Sequence, residues 1–247
     1  MKNKLSIKIL TAFNLALLSQ VIMAQTPPIE PSTIEQAVEK VLKTHPELVS
    51  EALKEMQRRE VVDQAQQDAK VLVELASVIY SDTGAIVLGN PKGDITLVEF
   101  IDYNCGYCKK ISPSIDQLIL RDKQLRVLVK QLPVLGQDSI AAAQLMLSVE
   151  AGTTVQEVHH ALLAMQKLDA TGLNDIQKNY HLKSVDTVLA DRGIGEVRVV
   201  ADKLGIQGTP ALIIGDTIFR GAVETSELEA AIQMARNALL TRSKAKS

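Results

Sequence analysis

Tryptophan is absent from this 247-residue chain, and three phenylalanines and four tyrosines are its only aromatic residues besides histidine. With so few rings to stack on bases, and a formal net charge of −2 that offers no broad cationic surface, nucleic acid is not an expected partner. Cysteine is just as scarce. Cys105 and Cys108 are the whole supply, so no disulfide framework holds the fold together. The core must come from the 46% of hydrophobic residues, for which this length is ample. With 23% charged residues, the composition is that of an ordinary globular protein. It is not that of a disordered, collagenous or polytopic membrane chain.

Long apolar runs are also missing, except at the start. Lys2, Lys4 and Lys8 precede an apolar stretch from Ile9 to about Leu18, followed by Ser19-Gln20 and Val21-Ile22-Met23-Ala24. A membrane-spanning helix needs roughly 20 apolar residues, and Thr11, Asn14, Ser19 and Gln20 interrupt this one. Residues 1–24 therefore read as a secretory signal peptide cleaved near Ala24. The mature protein is expected in the periplasm, where disulfides persist.

Residues 25–83 are expected to form a helical N-terminal segment. Ser32 or Thr33 can cap a helix carrying Ile34, Val38, Val41 and Leu42 at helical spacing. Pro46 ends that helix and can open the next. Val62, Ala65, Ala69, Leu72, Ala76 and Ile79 then follow at 3-4-3-4-3 spacing, a heptad seam narrow enough to be buried by another helix. Such a seam either packs on its own neighbouring domain or joins copies of the chain, and self-association is the favoured reading. With three alanines among its six positions the seam buries modest area, so the helices before it, with Val38, Val41 and Leu48, are expected to contribute.

The turn Ser81-Asp82-Thr83-Gly84 marks the expected boundary of the second domain, 84–247. Ile95–Ile101 and Leu125–Gln131 are β-branched, apolar runs of the buried-strand kind, and the segment Lys109–Leu120 between them makes a βαβ unit. A mostly helical insertion, about 138–205, follows. Ala211–Ile214, Gly215-Asp216 and Thr217–Phe219 read as strand, tight turn and strand, and Ser226 to about Leu240 as a closing amphipathic helix. The class is α/β.

The chemistry is concentrated in Cys105-Gly106-Tyr107-Cys108, directly after a strand and at the start of a helix. The unpaired N–H groups and positive dipole end of a helix N-terminus stabilise a thiolate at Cys105. Cys108, one turn further in, is placed to attack a mixed disulfide at Cys105 and release the product. A passive staple across so short a loop constrains the unfolded chain by only about 2 kcal/mol. Half of a zinc site needs two more ligands, and His45, His159, His160 and His181 lack ligand-pair spacing. A redox dithiol is the preferred of the three readings. His159 and His160 are expected on a helix surface, without a role.

The segment Phe100-Ile-Asp-Tyr-Asn-Cys-Gly-Tyr-Cys-Lys-Lys110 resembles the active-site region of the DsbA-type thioredoxin-fold proteins, most of all the ScsC-like branch. Pro113, five residues after Cys108, matches the kinking proline of their first helix, and Gly208-Thr209-Pro210 matches their cis-proline loop. The resemblance covers about residues 84–240 and implies a thioredoxin-like fold with an inserted helical domain, preceded by an α-helical oligomerisation segment. It implies that Thr209 and Pro210 lie against the dithiol and present backbone to an extended substrate. It also maps Glu99 and Lys130 to a buried acid and lysine that assist proton transfer at the second cysteine.

The expected function is that of an exported protein thiol-disulfide oxidoreductase, a disulfide isomerase or reductase, with the Cys105–Cys108 pair as its only redox centre and no other cofactor or metal. Without a histidine between the cysteines, its potential is expected between about −120 and −270 mV, the DsbA and thioredoxin values. Cysteine-containing exported proteins, a membrane thiol partner of the DsbD or DsbB type and further copies of the chain are the expected partners. The alternatives are a monomer-like disulfide donor and a non-enzymatic protein whose two thiolates hold Cu(I), a soft ion suited to sulfur.

Overall fold

The computed structural model describes residues 31–150 and 153–244, so the expected signal peptide lies outside the described residues. The chain divides into two compact units, one ending at Arg58 and the other starting at Arg59. The first contains α1 (Pro31–Thr44) and the beginning of α2 (Glu47–Glu74). The turn between them is closed by the His45 N–H donating to the Val41 carbonyl and the Leu48 N–H to the His45 carbonyl. Pro46 sits just before the helix, where its missing N–H is not needed. Ile34, Val38, Val41 and Leu42 on α1 are exposed, as are Leu48, Val49, Leu53 and Met56 on α2.

The second unit is built on a sheet of five strands in the order β1-β3-β2-β4-β5. These are β1 (Ala85–Gly89), β2 (Ile95–Ile101), β3 (Leu125–Gln131), β4 (Ala211–Ile214) and β5 (Thr217–Arg220). β2 and β3 are parallel and joined by α4 (Gly106–Arg121), the expected βαβ unit. The other pairings are antiparallel. β2 and β3 are covered on both faces, which is why they read as continuous apolar runs without alternation. β1 is an addition to the sequence reading. It is preceded by Gly84, whose φ of +64° and whose approach to the Gly193 carbonyl, 2.4 Å from where a Cβ would stand, leave no space for a side chain.

One face of the sheet packs against α4, through Ile111, Ile115 and Leu118, and against α9 (Thr225–Lys244), through Leu228, Ala231 and Ile232. The helical insertion, α5 (Gln137–Leu147), α6 (Thr153–Ala164) and α7 (Ala170–Asn179), extends this core. The opposite face is covered by α8 (Thr187–Lys203), a single helix that runs through Gly193 and Gly195.

The same opposite face corrects two expectations. The compact second unit starts at Arg59, well before the expected boundary at 83–84. Leu72 and Leu75, together with Ile79 of α3 (Ala76–Ile79), are buried with Val98, Phe100 and Leu128 of the sheet. Arg220 on β5 reinforces the contact with two 2.8 Å hydrogen bonds to Asp68. The second half of the heptad seam thus packs on its own domain, because the sheet presents an apolar face beside α8 that the last turns of α2 can cover. Val62 and Ala65, in the first half, remain exposed.

Candidate active site

The two cysteines lie where β2 delivers the chain to α4. Asp102, Tyr103 and Asn104 form the turn between them, and Cys105 is the N-cap of the helix, with extended backbone at φ −76° and ψ 117°. Both cysteines are free thiols. Cys105 Sγ donates to the Thr209 carbonyl at 3.2 Å. The Thr209–Pro210 bond is cis and leads directly into β4, so the loop lies against the dithiol. Gly106 and Tyr107 stand exposed between the cysteines. Cys108, one turn into α4, is fully buried. Burial pushes its thiol well above the usual range, and the negative charge of Glu99 adds to this, while a hydrogen bond from the Asp102 backbone opposes it.

Glu99 is on the same sheet face as Cys108, among the residues of the larger core. It is buried and its Oε1 has no hydrogen-bond partner among the described residues. Its carboxyl is raised to about 8, chiefly by burial and further by the charge of Asp116. A carboxyl in this range can take a proton from a neighbouring thiol near neutral pH.

Lys130 does not join it. In the β2–β3 register Glu99 is opposite Val129 and Phe100 is opposite Lys130, so the two charged side chains leave the sheet on opposite faces. The Lys130 Nζ donates to the Ser81 carbonyl at 2.8 Å and the Thr83 carbonyl at 3.2 Å. Burial lowers this amine to about 8. Lys130 fastens the segment before β1, and the proton-transfer pairing expected of it is not formed.

Tyr103, which the sequence reading passes over, lies beside Glu99 and Cys108. Tyr103 is buried, and burial holds its hydroxyl well above the usual range, with the charges of Glu99 and Cys108 adding to this. Its hydroxyl is 2.9 Å from Nδ1 of His159, which comes from α6. His159 is buried, not on the helix surface, and burial lowers its imidazole to about 3. The signal for this was present: His159 lies four residues after Val155 and three before Leu162, both of which are buried. His160 is partly exposed and meets Asp116 Oδ1 at 3.0 Å.

Two thiols at a helix start, Cys108 fully buried and Cys105 6% exposed, faced by a cis-proline loop on a mixed sheet, make a dithiol exchange site. The sequence profile of the family described as Thioredoxin matches residues 81–234. The chain belongs to the thioredoxin family. Within it the chain is a DsbA-type, ScsC-like member. It is similar to the catalytic domain of Proteus mirabilis ScsC, with 31% identity, 68% of this chain and 97% of that one covered, and a TM-score of 0.63. It is also similar to the thiol-disulfide exchange protein α-DsbA2 of Wolbachia pipientis, with 28% identity, coverage of 70% and 97%, and a TM-score of 0.63. A periplasmic thioredoxin-like protein of Salmonella enterica serovar Typhimurium matches with 28% identity, coverage of 65% and 95%, and a TM-score of 0.61. The curated sequences it matches are longer. Na(+)/H(+) antiporter NhaA 1 of Salinispora arenicola is 27% identical over 160 residues, which take in 60% of this chain and 24% of the antiporter. As a thioredoxin-family oxidoreductase, the chain is suited to thiol-disulfide exchange.

Proposed function

We propose that the protein is an exported disulfide isomerase or reductase that acts on cysteine-containing proteins through Cys105 and Cys108. The observation that carries this reading is the Cys105 thiol at the N-cap of α4, held 3.2 Å from the Thr209 carbonyl, with Cys108 buried one turn behind it. The Cys105 thiolate attacks one sulfur of a client disulfide. That bond breaks, a mixed disulfide forms, and the departing client thiolate takes up a proton. Cys108 then gives its proton to Glu99 and attacks the Cys105 sulfur. This closes the Cys105–Cys108 disulfide, frees the second client thiol and leaves the client reduced by two electrons. In isomerisation a client thiol attacks in place of Cys108, and no net oxidation occurs. A membrane thiol partner of the DsbD type returns two electrons to the dithiol when the client has been reduced; for a disulfide donor, a DsbB-type partner removes them.

Isomerisation gains from several dithiols facing one client, because linked sites raise the local thiol concentration. The exposed apolar residues of α1 and early α2, among them Ile34, Val38, Val41, Leu42 and Leu53, support a homo-oligomer assembled through the first unit. The test compares the mature chain with a version starting at Arg59, where the compact second unit begins. The mature chain is expected to be oligomeric by light scattering and to reactivate a scrambled-disulfide protein. The shortened chain is expected to be a monomer that reduces insulin but has lost most of the reactivation. A mature chain that does not reactivate the scrambled protein refutes the isomerase reading; a monomeric mature chain, or full reactivation by the shortened one, refutes the role given to assembly through the first unit.

A further inference from the structure

Glu99 and Gln131 are 2% and 0% exposed, and each carries one oxygen, Oε1, with no hydrogen-bond partner among the described residues. The β2–β3 register puts them on common ground. Glu99 lies opposite Val129 and Ile101 opposite Gln131, so the two side chains leave neighbouring strands on the same sheet face, as diagonal neighbours. Long side chains reach across such a diagonal, which is roughly 7–8 Å between backbones. Gln131 also departs from its strand. It ends a face of β3 that is otherwise built of Leu125, Val127 and Val129.

The two oxygens have one solution in common. A buried carboxylate with no cation beside it is costly, and Lys130 leaves the sheet on the opposite face. On the Glu99 face the nearby titratable groups are Cys108 and Asp116 of α4, Tyr103 of the cysteine turn and, behind it, His159 of α6. None of these four is a cation at neutral pH, His159 included, and Asp116 is itself taken by His160 at 3.0 Å. Glu99 is therefore held as a neutral carboxyl, in keeping with its rise to about 8, and a neutral carboxyl is a donor that needs an acceptor. Gln131 Oε1 is one. Its amide is oriented by the Val129 carbonyl, which Nε2 faces at 3.4 Å, and the reverse orientation would set oxygen against oxygen. The Tyr103 hydroxyl is already engaged by His159 Nδ1 at 2.9 Å. One hydrogen on the Glu99 carboxyl thus satisfies both oxygens.

Resting on the thiol-exchange reading above, the geometry points to Gln131 as a positioning residue whose amide oxygen accepts the Glu99 carboxyl O–H and so holds the proton that Cys108 gives up during resolution. In that step the Cys108 S–H bond breaks and its proton passes to the Glu99 carboxylate. The sulfur electron pair forms the bond to Cys105 as the client thiolate leaves. Gln131 stabilises Glu99 in its protonated form alone, so it favours the forward proton transfer.

Resolution can be followed by mixing the reduced mature protein with an aromatic disulfide, which releases one chromogenic thiolate on attack by Cys105 and a second on attack by Cys108. The rate of the second release is expected to rise with pH to a midpoint near 8, the Glu99 value. Gln131→Met keeps the volume and loses the acceptor. It should move that midpoint down by about one pH unit, the tenfold change in proton affinity that a lost hydrogen bond brings. Gln131→Asn, smaller but still carrying an amide oxygen, should move it less. Loss of packing alone predicts the reverse order, since asparagine leaves the larger gap, and that order overturns the proposal. An unmoved midpoint in Gln131→Met does the same. Ser139→Ala removes a further buried oxygen without a partner among the described residues, on α5, and should leave the midpoint in place. A shift equal to that of Gln131→Met gives the role to Ser139 and overturns the assignment. If Gln131→Met fails to fold, NMR of the wild type decides: the Gln131 side-chain amide signals should titrate with the Glu99 midpoint and cease to do so in Glu99→Gln. Signals that stay still across that range overturn the contact. A wild type that releases no second thiolate at any pH refutes the thiol-exchange reading, whereas the amide titration needs no turnover and still tests whether Gln131 holds the Glu99 proton.

Discussion

The Tyr103 hydroxyl and His159 Nδ1 meet at 2.9 Å inside the core, one from the cysteine turn and the other from α6 of the helical insertion. Their rings are edge to face, with centroids 5.6 Å apart. The imidazole is held neutral. Its folded value is lowered to about 3 from 6.5, so the stability it contributes is complete above about 6.5 and is lost as the pH falls toward 3. Urea unfolding at pH 7 and pH 4 should therefore show a larger loss for the wild type than for His159→Phe. Tyr103→Phe leaves a buried nitrogen without its partner and should cost about 1–3 kcal/mol at pH 7. Equal acid losses in wild type and His159→Phe would remove His159 as the source.

Glu99 and Lys130 are separated by the sheet, and their variants should behave differently. Glu99→Gln removes the acceptor beside Cys108 and should slow resolution of the mixed disulfide about 100-fold at neutral pH, as followed by stopped-flow quenching. It should also change the pH dependence of stability. A carboxyl raised to about 8 from 4.5 stabilises the fold fully below 4.5 and loses that contribution as the pH rises through 8. The glutamine variant should lack this decline. Lys130→Met leaves the Ser81 and Thr83 carbonyls without their donor, so it should lower the unfolding midpoint with a much smaller effect on resolution. Equal slowing by both variants would restore the pairing that the register denies.

The division of labour between the thiols gives a direct test. Cys108→Ala should accumulate mixed disulfides between Cys105 and client proteins, visible on non-reducing gels and released by dithiothreitol. Cys105→Ala should trap few, since its remaining thiol is fully buried and held well above its usual protonation range. Equal trapping by the two variants would reverse or erase the assignment.

The strands at Ile95–Ile101 and Leu125–Gln131 were legible because both are buried on two faces, and a doubly buried strand spells itself as an apolar run. The dithiol was legible because strand, Cys-Gly-Tyr-Cys and helix are contiguous. The separation of Glu99 from Lys130 was not, since it depends on Ile95 lying opposite Leu125. A one-residue slip would place the two on one face, and no local pattern fixes that register. Gln131 was hidden for a similar reason: its place on the Glu99 face follows from the same register. His159 was the exception, a polar residue on a buried helix face that the spacing of Val155, Val158 and Leu162 could have exposed.

The last turns of α2 explain where the chain can be cut. A chain starting at Gly84 loses Leu72, Leu75 and Ile79 and uncovers Val98, Phe100 and Leu128 beneath them. It also loses Asp68, leaving Arg220 with the Leu204 carbonyl as its remaining hydrogen-bond partner among the described residues. Each buried aliphatic side chain contributes about 1.5–3 kcal/mol, so the Gly84 start should be destabilised by several kcal/mol or fail to fold cooperatively. A chain starting at Arg59 keeps all of these contacts and should unfold in a single transition. Denaturant titrations of the two fragments check this. Equal midpoints would mean that α2 and α3 lie on the sheet without stabilising it, and the expected boundary at 83–84 would then serve as well as Arg59.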